Sequence, residues 1–241
     1  MFERCFAVDN DNTPALGYSS VSLQVEAIRK YKNSDYETVQ FLFAEGTKEH
    51  LPAACLYTLE TPRFYFIIVV ACASVFMGTS SYVLSLTSLV ALLAVGWYGL
   101  YGEFHGYASQ CQREDMLDIN KSYMKSDKSC FWVAEIDRKV VGIVGAQPST
   151  DSHDELVLQH LSVARDYWQQ QLGTKLCQMV IDFARQCGFR AVCLETANIQ
   201  HPAIKLYESV GFKKSLAVIP PFLLSQYTSF TLIYYRYDIK S

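Results

Sequence analysis

No two cysteines in this chain stand in a CxxC spacing, and no grouping of Cys and His has the spacing of a zinc site. The eight thiols (Cys5, Cys55, Cys72, Cys111, Cys130, Cys177, Cys187 and Cys193) are scattered, several of them inside apolar runs. That pattern reads as reduced core thiols and argues against a disulfide framework or a resident metal. An excess of positive charge is lacking too. The 21 Lys and Arg against 24 Asp and Glu leave a formal charge of −3. With no basic cluster, there is no reason to place nucleic acid among the partners. Met1 to Ser20 lacks both a basic start and an apolar core segment, so it reads as a loose polar tail rather than a signal peptide.

The most informative absence is of charge between Phe64 and Gly102, FYFIIVVACASVFMGTSSYVLSLTSLVALLAVGWYGLYG. One membrane crossing takes ~20 apolar residues, and this run holds two passes of about 18 each. Gly78-Thr79-Ser80-Ser81 supplies a turn between them. Trp97, Tyr98 and Tyr101 stand at the far end like an interfacial belt. The first leg is short, so a re-entrant hairpin stays open beside two full spans. If a strand before the run shares a sheet with strands after it, both flanks emerge on one side of the bilayer. Flanking Lys48, Arg63, Arg113, Lys121 and Lys125 weakly favour a cytosolic domain. Asn120-Lys121-Ser122 is a glycosylation sequon and has meaning only if the domain faces a lumen.

Length alone allows one large domain or one domain with an appendage. Alternation from Val21 to Tyr31 reads as a first strand, and Ser34 with Glu37 as a capping box opening a helix from Asp35 to about Glu45. After the apolar run, Met116 to Met124 reads as a helix. Cys130 to Ile136 and Lys139 to Gln147 read as a strand hairpin turning at Asp137-Arg138. Glu155 to Val163 is a mostly apolar strand. Gln170 to Lys175 is a glycine-containing turn, and Leu176, Met179, Val180 and Phe183 recur at helical spacing. Ala191 to Thr196 is a strand, and Pro202 to Val210 a helix with Gly211 closing it. Phe212 to Ile219 and Thr228 to Tyr237 are a final strand pair. The chain thus divides into a tail (1–20), a first strand and helix (21–63), a membrane hairpin (64–102) and the remainder (103–241).

A strand running into a helix leaves backbone N–H groups at the positive helix end, a site for phosphate. Gln170-Gln171-Leu172-Gly173-Thr174-Lys175 resembles motif A of the GNAT acyl-CoA-dependent N-acetyltransferases, Gln/Arg-x-x-Gly-x-Gly/Ala, with Lys175 in place of the last small residue. Ala203-Ile204-Lys205-Leu206-Tyr207-Glu208-Ser209-Val210-Gly211-Phe212 resembles a second GNAT signature, Ala-x-x-Leu-Tyr-x-x-x-Gly-Phe. Ser129-Cys130-Phe131-Trp132-Val133-Ala134 followed by Val140-Val141-Gly142-Ile143-Val144 is similar to the camello-like branch, in which a membrane segment interrupts the domain after its first strand and helix. The match runs from about Glu26 to Tyr237.

The resemblance implies an α/β (α+β) GNAT fold, a mixed and mostly antiparallel sheet flanked by helices, interrupted by the membrane hairpin. It implies acetyl-CoA as co-substrate without a metal. The acceptor is an amine such as a cysteine S-conjugate, a protein lysine or aspartate, and the location is the endoplasmic reticulum membrane. A homo-oligomer stays open. Amides from Gln170 to Lys175 would hold the pyrophosphate, and Leu161, Ser162 and Val163 would face the thioester through backbone donors. Tyr207 would serve the leaving sulfur. His160, Glu155 and Glu195 are candidates for the base, and Gln200 for a contact to pantetheine. The camello-like relatives carry arginines in the phosphate loop where this chain has Tyr167-Trp168-Gln169-Gln170-Gln171-Leu172. Lys175 therefore either swings outward toward phosphate or obstructs the pocket. The second function class is accordingly a catalytically weak module that binds CoA or a protein at a membrane. A third is a purely anchoring or adhesive role.

Overall fold

The computed structural model describes residues 27–48, 51–113, 115–219 and 230–239. Within them the elements run β1 (Ala27–Lys30), α1 (Tyr36–Lys48), α2 (Leu51–Glu60), α3 (Pro62–Thr79), α4 (Tyr82–Arg113), β2 (Cys130–Ile136), β3 (Lys139–Pro148), β4 (Glu155–Val163), α5 (Leu172–Gln186), β5 (Ala191–Ala197), α6 (His201–Val210), β6 (Lys213–Val218) and β7 (Leu232–Asp238). The strands form one sheet in the order β1-β2-β3-β4-β5-β7-β6. Every pairing is antiparallel except that of β4 with β5. This is the mixed, mostly antiparallel sheet that the sequence led us to expect.

Alternation along each strand sorts its side chains onto two faces. One face carries Trp132, Ala134, Val144, Leu156 and Leu158. It packs on Leu172, Leu176, Val180 and Ile181, which recur at helical spacing along α5. The other face carries Phe131, Val133 and Ile143, covered by Val39, Leu42 and Phe43 of α1 and by Met116 and Ile119. A third, smaller cluster joins α2 to the far end of β5 through Ala54, Ala197 and Ile199. The β2–β3 hairpin turns on Asp137 and Arg138 at φ 50° and 62°. Two such residues make the turn whose twist matches the strands.

Pro62–Thr79 and Tyr82–Gly99 are each 18 residues long and apolar enough to cross a membrane, and none of either stretch is buried. Their outward side chains include Phe66, Val70, Leu86 and Val90, all exposed. The turn between them is tighter than the expected Gly78–Ser81. Gly78 and Thr79 stay helical, and Ser80 alone turns left-handed (φ 53°), its N–H donating to Phe76 O at 2.7 Å. The helix α4 then runs on through Arg113, well past the charge-free run.

Several other boundaries move. The described part of the first strand is Ala27–Lys30; residues 1–26, with the tail and the start of that strand, lie outside the described residues, as do 228 and 229 of the last. The expected capping pair of Ser34 and Glu37 gives way to Asp35, whose carboxylate accepts the Lys32 N–H at 2.9 Å. Arg29 fixes that carboxylate from the other side at 2.7 and 3.0 Å. Residues 116–119 are mainly turn rather than helix, and Asn120–Met124 forms a π-helical turn. The six described cysteines, Cys55, Cys72, Cys130, Cys177, Cys187 and Cys193, are free.

Candidate active site

β4 and β5 pair only from Glu155–Ala191 to Val157–Cys193. Beyond that, β4 continues beside β3 and β5 beside β7, so a notch opens between them. A β-bulge accounts for the divergence. Gly145 pairs with Gln159 and Ile143 with Ser162, which leaves one residue of β3, Val144, opposite two of β4, His160 and Leu161. The extra residue bends the strand away from its neighbour. Past the bulge, Ala164 N–H donates to Val141 O on β3 at 2.8 Å. Amide directions alternate along a strand, so Val163 and Leu161 turn their N–H groups to the notch. The Trp168 indole closes the same edge, donating to Val163 O at 2.7 Å. Ser162 is spent elsewhere: its hydroxyl donates to Leu42 O of α1 at 3.0 Å.

The chain leaves β4 through a 3-10 turn, Arg165–Gln170, and enters α5 at Leu172. The helix was expected from Leu176; it begins a turn earlier because Gln171 takes the left-handed conformation (φ 55°) and Leu172 is fully buried. Lys175 N–H is therefore occupied, donating to Gln171 O at 3.0 Å. The donors without intrahelical partners are those of Leu172, Gly173 and Thr174. No side chain caps this end and no acidic residue lies in its first turn. Gln170 Oε1 is buried and, among the described residues, without a hydrogen-bond partner. Gly173 also lies close to α6: a Cβ there would stand 2.8 Å from Leu206 Cδ2, so the end of that side chain would have to shift. Lys175 is exposed, so the cation points outward.

His160 is the inserted residue of the bulge. By alternation it would follow Leu158 onto the α5 face, yet it sits at φ 55° and turns to the α1 face. There its ring meets Phe43 edge-on at 5.1 Å and Tyr123 at 6.2 Å. Its Nε2 lies 2.5 Å from Asp115 Oδ2, with the imidazole 7% exposed. Tyr123 hydroxyl donates to the same carboxylate oxygen, and also lies 2.9 Å from Gln159 Oε1. Burial alone would raise the Asp115 carboxyl. The hydrogen bonds from His160 and from the Tyr123 hydroxyl outweigh that and hold it below the usual carboxylate range.

Tyr207 on α6 is buried in the same core as Leu161, Val163 and Leu172. Its ring packs on Phe212 at 5.9 Å and Tyr235 at 6.3 Å. Burial, with the Cys177 thiol adding to it, pushes the phenol well above its ordinary range. The two glutamates do not join this group. Glu155 stands at the root of the notch, five residues and roughly 16 Å along the strand from His160. Arg236 grips its carboxylate and Cys193 donates to it at 3.3 Å, and the guanidinium holds it below the usual range. Glu195 lies exposed on the β5 arm, opposite Tyr234, whose hydroxyl it takes as a donor. Gln200 accepts from Thr196 Oγ1 at 2.6 Å and Ala197 N–H at 3.2 Å, closing the turn into α6. Only its amide nitrogen is left for a ligand.

The acetyltransferase (GNAT) family model matches residues 96–212. Probable N-acetyltransferase camello of Xenopus laevis is 82% identical over 215 residues, 89% of this chain and 98% of that protein. The chain belongs to the camello-like GNAT N-acetyltransferases. Human N-acetyltransferase 8B is 39% identical over 191 residues, 78% of this chain and 84% of that protein. An acetyltransferase of the GNAT family from Staphylococcus aureus Mu50 superposes with a TM-score of 0.54 at 16% identity, covering 89% of this chain and 99% of that one. That last likeness concerns the fold.

The residue order of this N-acetyltransferase does not single out Asp115, Tyr123, Gln159 or Trp168. The bulge does leave a signal. The apolar positions run 156, 158 and then 161, 163, a slip of phase that marks one extra residue. Asp115 leaves none, since it falls in a turn outside every motif.

Proposed function

We propose that this N-acetyltransferase moves an acetyl group from acetyl-CoA to a primary amine at a membrane. The observation that carries the reading is the uncapped start of α5 beside the notch, where the Leu172, Gly173 and Thr174 amides lack intrahelical partners and Gln170 Oε1 is buried without a partner among the described residues. A buried polar atom without a partner costs about 1–3 kcal/mol, so a ligand group is expected there. Gln170 suits a phosphate once its amide is turned to present N–H. The exposed cation of Lys175 opposes the helix dipole, and a bound anion would relieve it.

When bound, acetyl-CoA supplies an activated acyl carbon as a thioester. The Leu161 and Val163 amides face the thioester oxygen and stabilise the charge that develops on it. At pH 7 fewer than about one in a thousand lysine-like amines are neutral, so a proton must leave first. His160, held through Nε2 by Asp115, presents Nδ1 as the acceptor, over a water where the amine does not reach the buried ring. The C–N bond forms and the C–S bond breaks, and one amine proton ends on sulfur. Tyr207 donates a hydrogen bond to that sulfur. Its raised pKa keeps the phenol protonated, and against a thiol of ordinary pKa ~8.5 it orients the leaving group rather than losing its proton.

The two apolar helices support a membrane-embedded hairpin, and the camello-like resemblance supports the endoplasmic reticulum. The same resemblance supports cysteine S-conjugates, protein lysines or aspartate as acceptors. Calorimetric titration of the detergent-purified chain with acetyl-CoA, followed by assays with an S-substituted cysteine, a lysine peptide and aspartate, tests the reading. Binding at one site and turnover of one amine are expected. Tyr207→Phe should keep the binding and slow turnover by roughly 10². Absence of binding that Lys175→Ala restores would favour the weak-module alternative.

A further inference from the structure

We infer that Asp115 is a positioning residue for acetyl transfer, holding His160 through Nε2 and tying the end of α4 to the reacting end of β4. The inference rests on the reading that His160 takes the amine's proton.

Asp115 lies two residues beyond Arg113, where the second of the two apolar helices ends. The segment is pinned rather than loose: Met116 and Ile119, which follow, are fully buried against β2, β3 and α1. Its carboxylate receives two donors on one oxygen, His160 Nε2 at 2.5 Å and the Tyr123 hydroxyl. A phenol has one proton to give. Tyr123 gives it to the carboxylate, and Gln159 must then turn its amide N–H toward the phenol oxygen. Every member of the network is thereby satisfied.

His160 is in contact with Asp115, from the segment after α4, with Tyr123, from the π-helical turn, and with the uncharged ring of Phe43 on α1. The histidine is a non-glycine residue in the left-handed region, held against its preference. An anion fixed from another element gives the ring one orientation on the α1 face. It also commits Nε2, so that Nδ1 is the atom free to accept a proton.

The test is steady-state kinetics of the full chain in detergent, with acetyl-CoA and the most active of the three amines above. His160→Gln is expected to lower kcat by about 10² or more. Asp115→Asn should lower kcat about 10- to 100-fold, the worth of a hydrogen bond to a charged partner. Its KM for acetyl-CoA and its calorimetric binding should stay within about twofold of the unaltered chain. Asp115→Glu should recover part of the loss. In the His160→Gln background, Asp115→Asn should cost little more, because the two act as a unit.

Three results overturn the inference: full kcat in Asp115→Asn, a parallel rise in KM, or an undiminished loss in the His160→Gln background. Should Asp115→Asn fail to fold, Tyr123→Phe is read instead. It strips one donor from the carboxylate and is expected to lower kcat several-fold at constant KM; unchanged kcat overturns the inference. Failure of the underlying reading looks different, since His160→Gln would itself be fully active.

Discussion

Gly46 lets α1 approach β4 beside the notch, and replacing it gives a sharp test of that packing. A Cβ at Gly46 would stand 2.5 Å from Ser162 Oγ and 3.3 Å from Ser162 Cβ. The Ser162 hydroxyl is already engaged, donating to Leu42 O at 3.0 Å. Gly46→Ala gains about 1 kcal/mol of helix propensity. It costs about 1–3 kcal/mol in overpacking, because either the hydroxyl leaves its bond or α1 backs away. The net is a destabilisation of about 1 kcal/mol, a fall of about 2–4 °C in Tm for a chain of this size. Ser162→Ala by itself loses one hydrogen bond, about 0.5–1.5 kcal/mol. It also removes the 2.5 Å clash and leaves only the milder 3.3 Å contact. In that background Gly46→Ala should be neutral, or stabilising by up to about 1 kcal/mol. Thermal unfolding in detergent, followed by tryptophan fluorescence on the parent, both single variants and the double, measures the coupling, expected at about 1–2 kcal/mol. Single shifts that simply add, within about 0.5 kcal/mol, would refute the claim that these two residues set the distance between α1 and β4.

Two further outcomes are expected. Burial raises Asp35, but the Arg29 hydrogen bonds and the Lys32 N–H outweigh it and hold the carboxyl below its usual range; Arg236 does the same to Glu155. A folded-state value below the unfolded one gives stability that is complete above about pH 5 and lost progressively as pH falls beneath it. Tm should therefore hold level from neutral pH to about 5 and then drop, and Asp35→Asn should shrink that acid drop; an unchanged drop would remove Asp35 from the account. Alkaline carbonate washing of membranes that carry the chain should leave it in the pellet through α3 and α4, whereas release into the supernatant would deny that the hairpin is embedded.

Much of the sheet was legible from period-two patterns. β2, β3, β4 and β5 fall within a residue of where alternation and turn residues put them, and Gly211 closes α6 at φ 110° as a C-cap glycine does. The notch was legible only in part. Gln170 and Gly173 could be matched to a motif, but the start of α5 moved by a turn, because burial of Leu172 was decided by the core it entered. Glu155 had suited the base by residue type; Arg236, 81 residues away, claims it.

What the order of residues determined was local: where the backbone turns, which face of each segment is apolar, and which run lacks charge altogether. These follow from sterics and amphipathic partition between chain neighbours, and need no knowledge of the partner. What tertiary structure alone decided was which distant groups meet. Asp115 reaches His160 across 45 residues. Phe43 and Tyr123 close on the same ring because one inserted residue flips it to the other face of the sheet. A register slip of one residue reverses the face on which every later side chain of that strand lies, and no local pattern states what waits on that side.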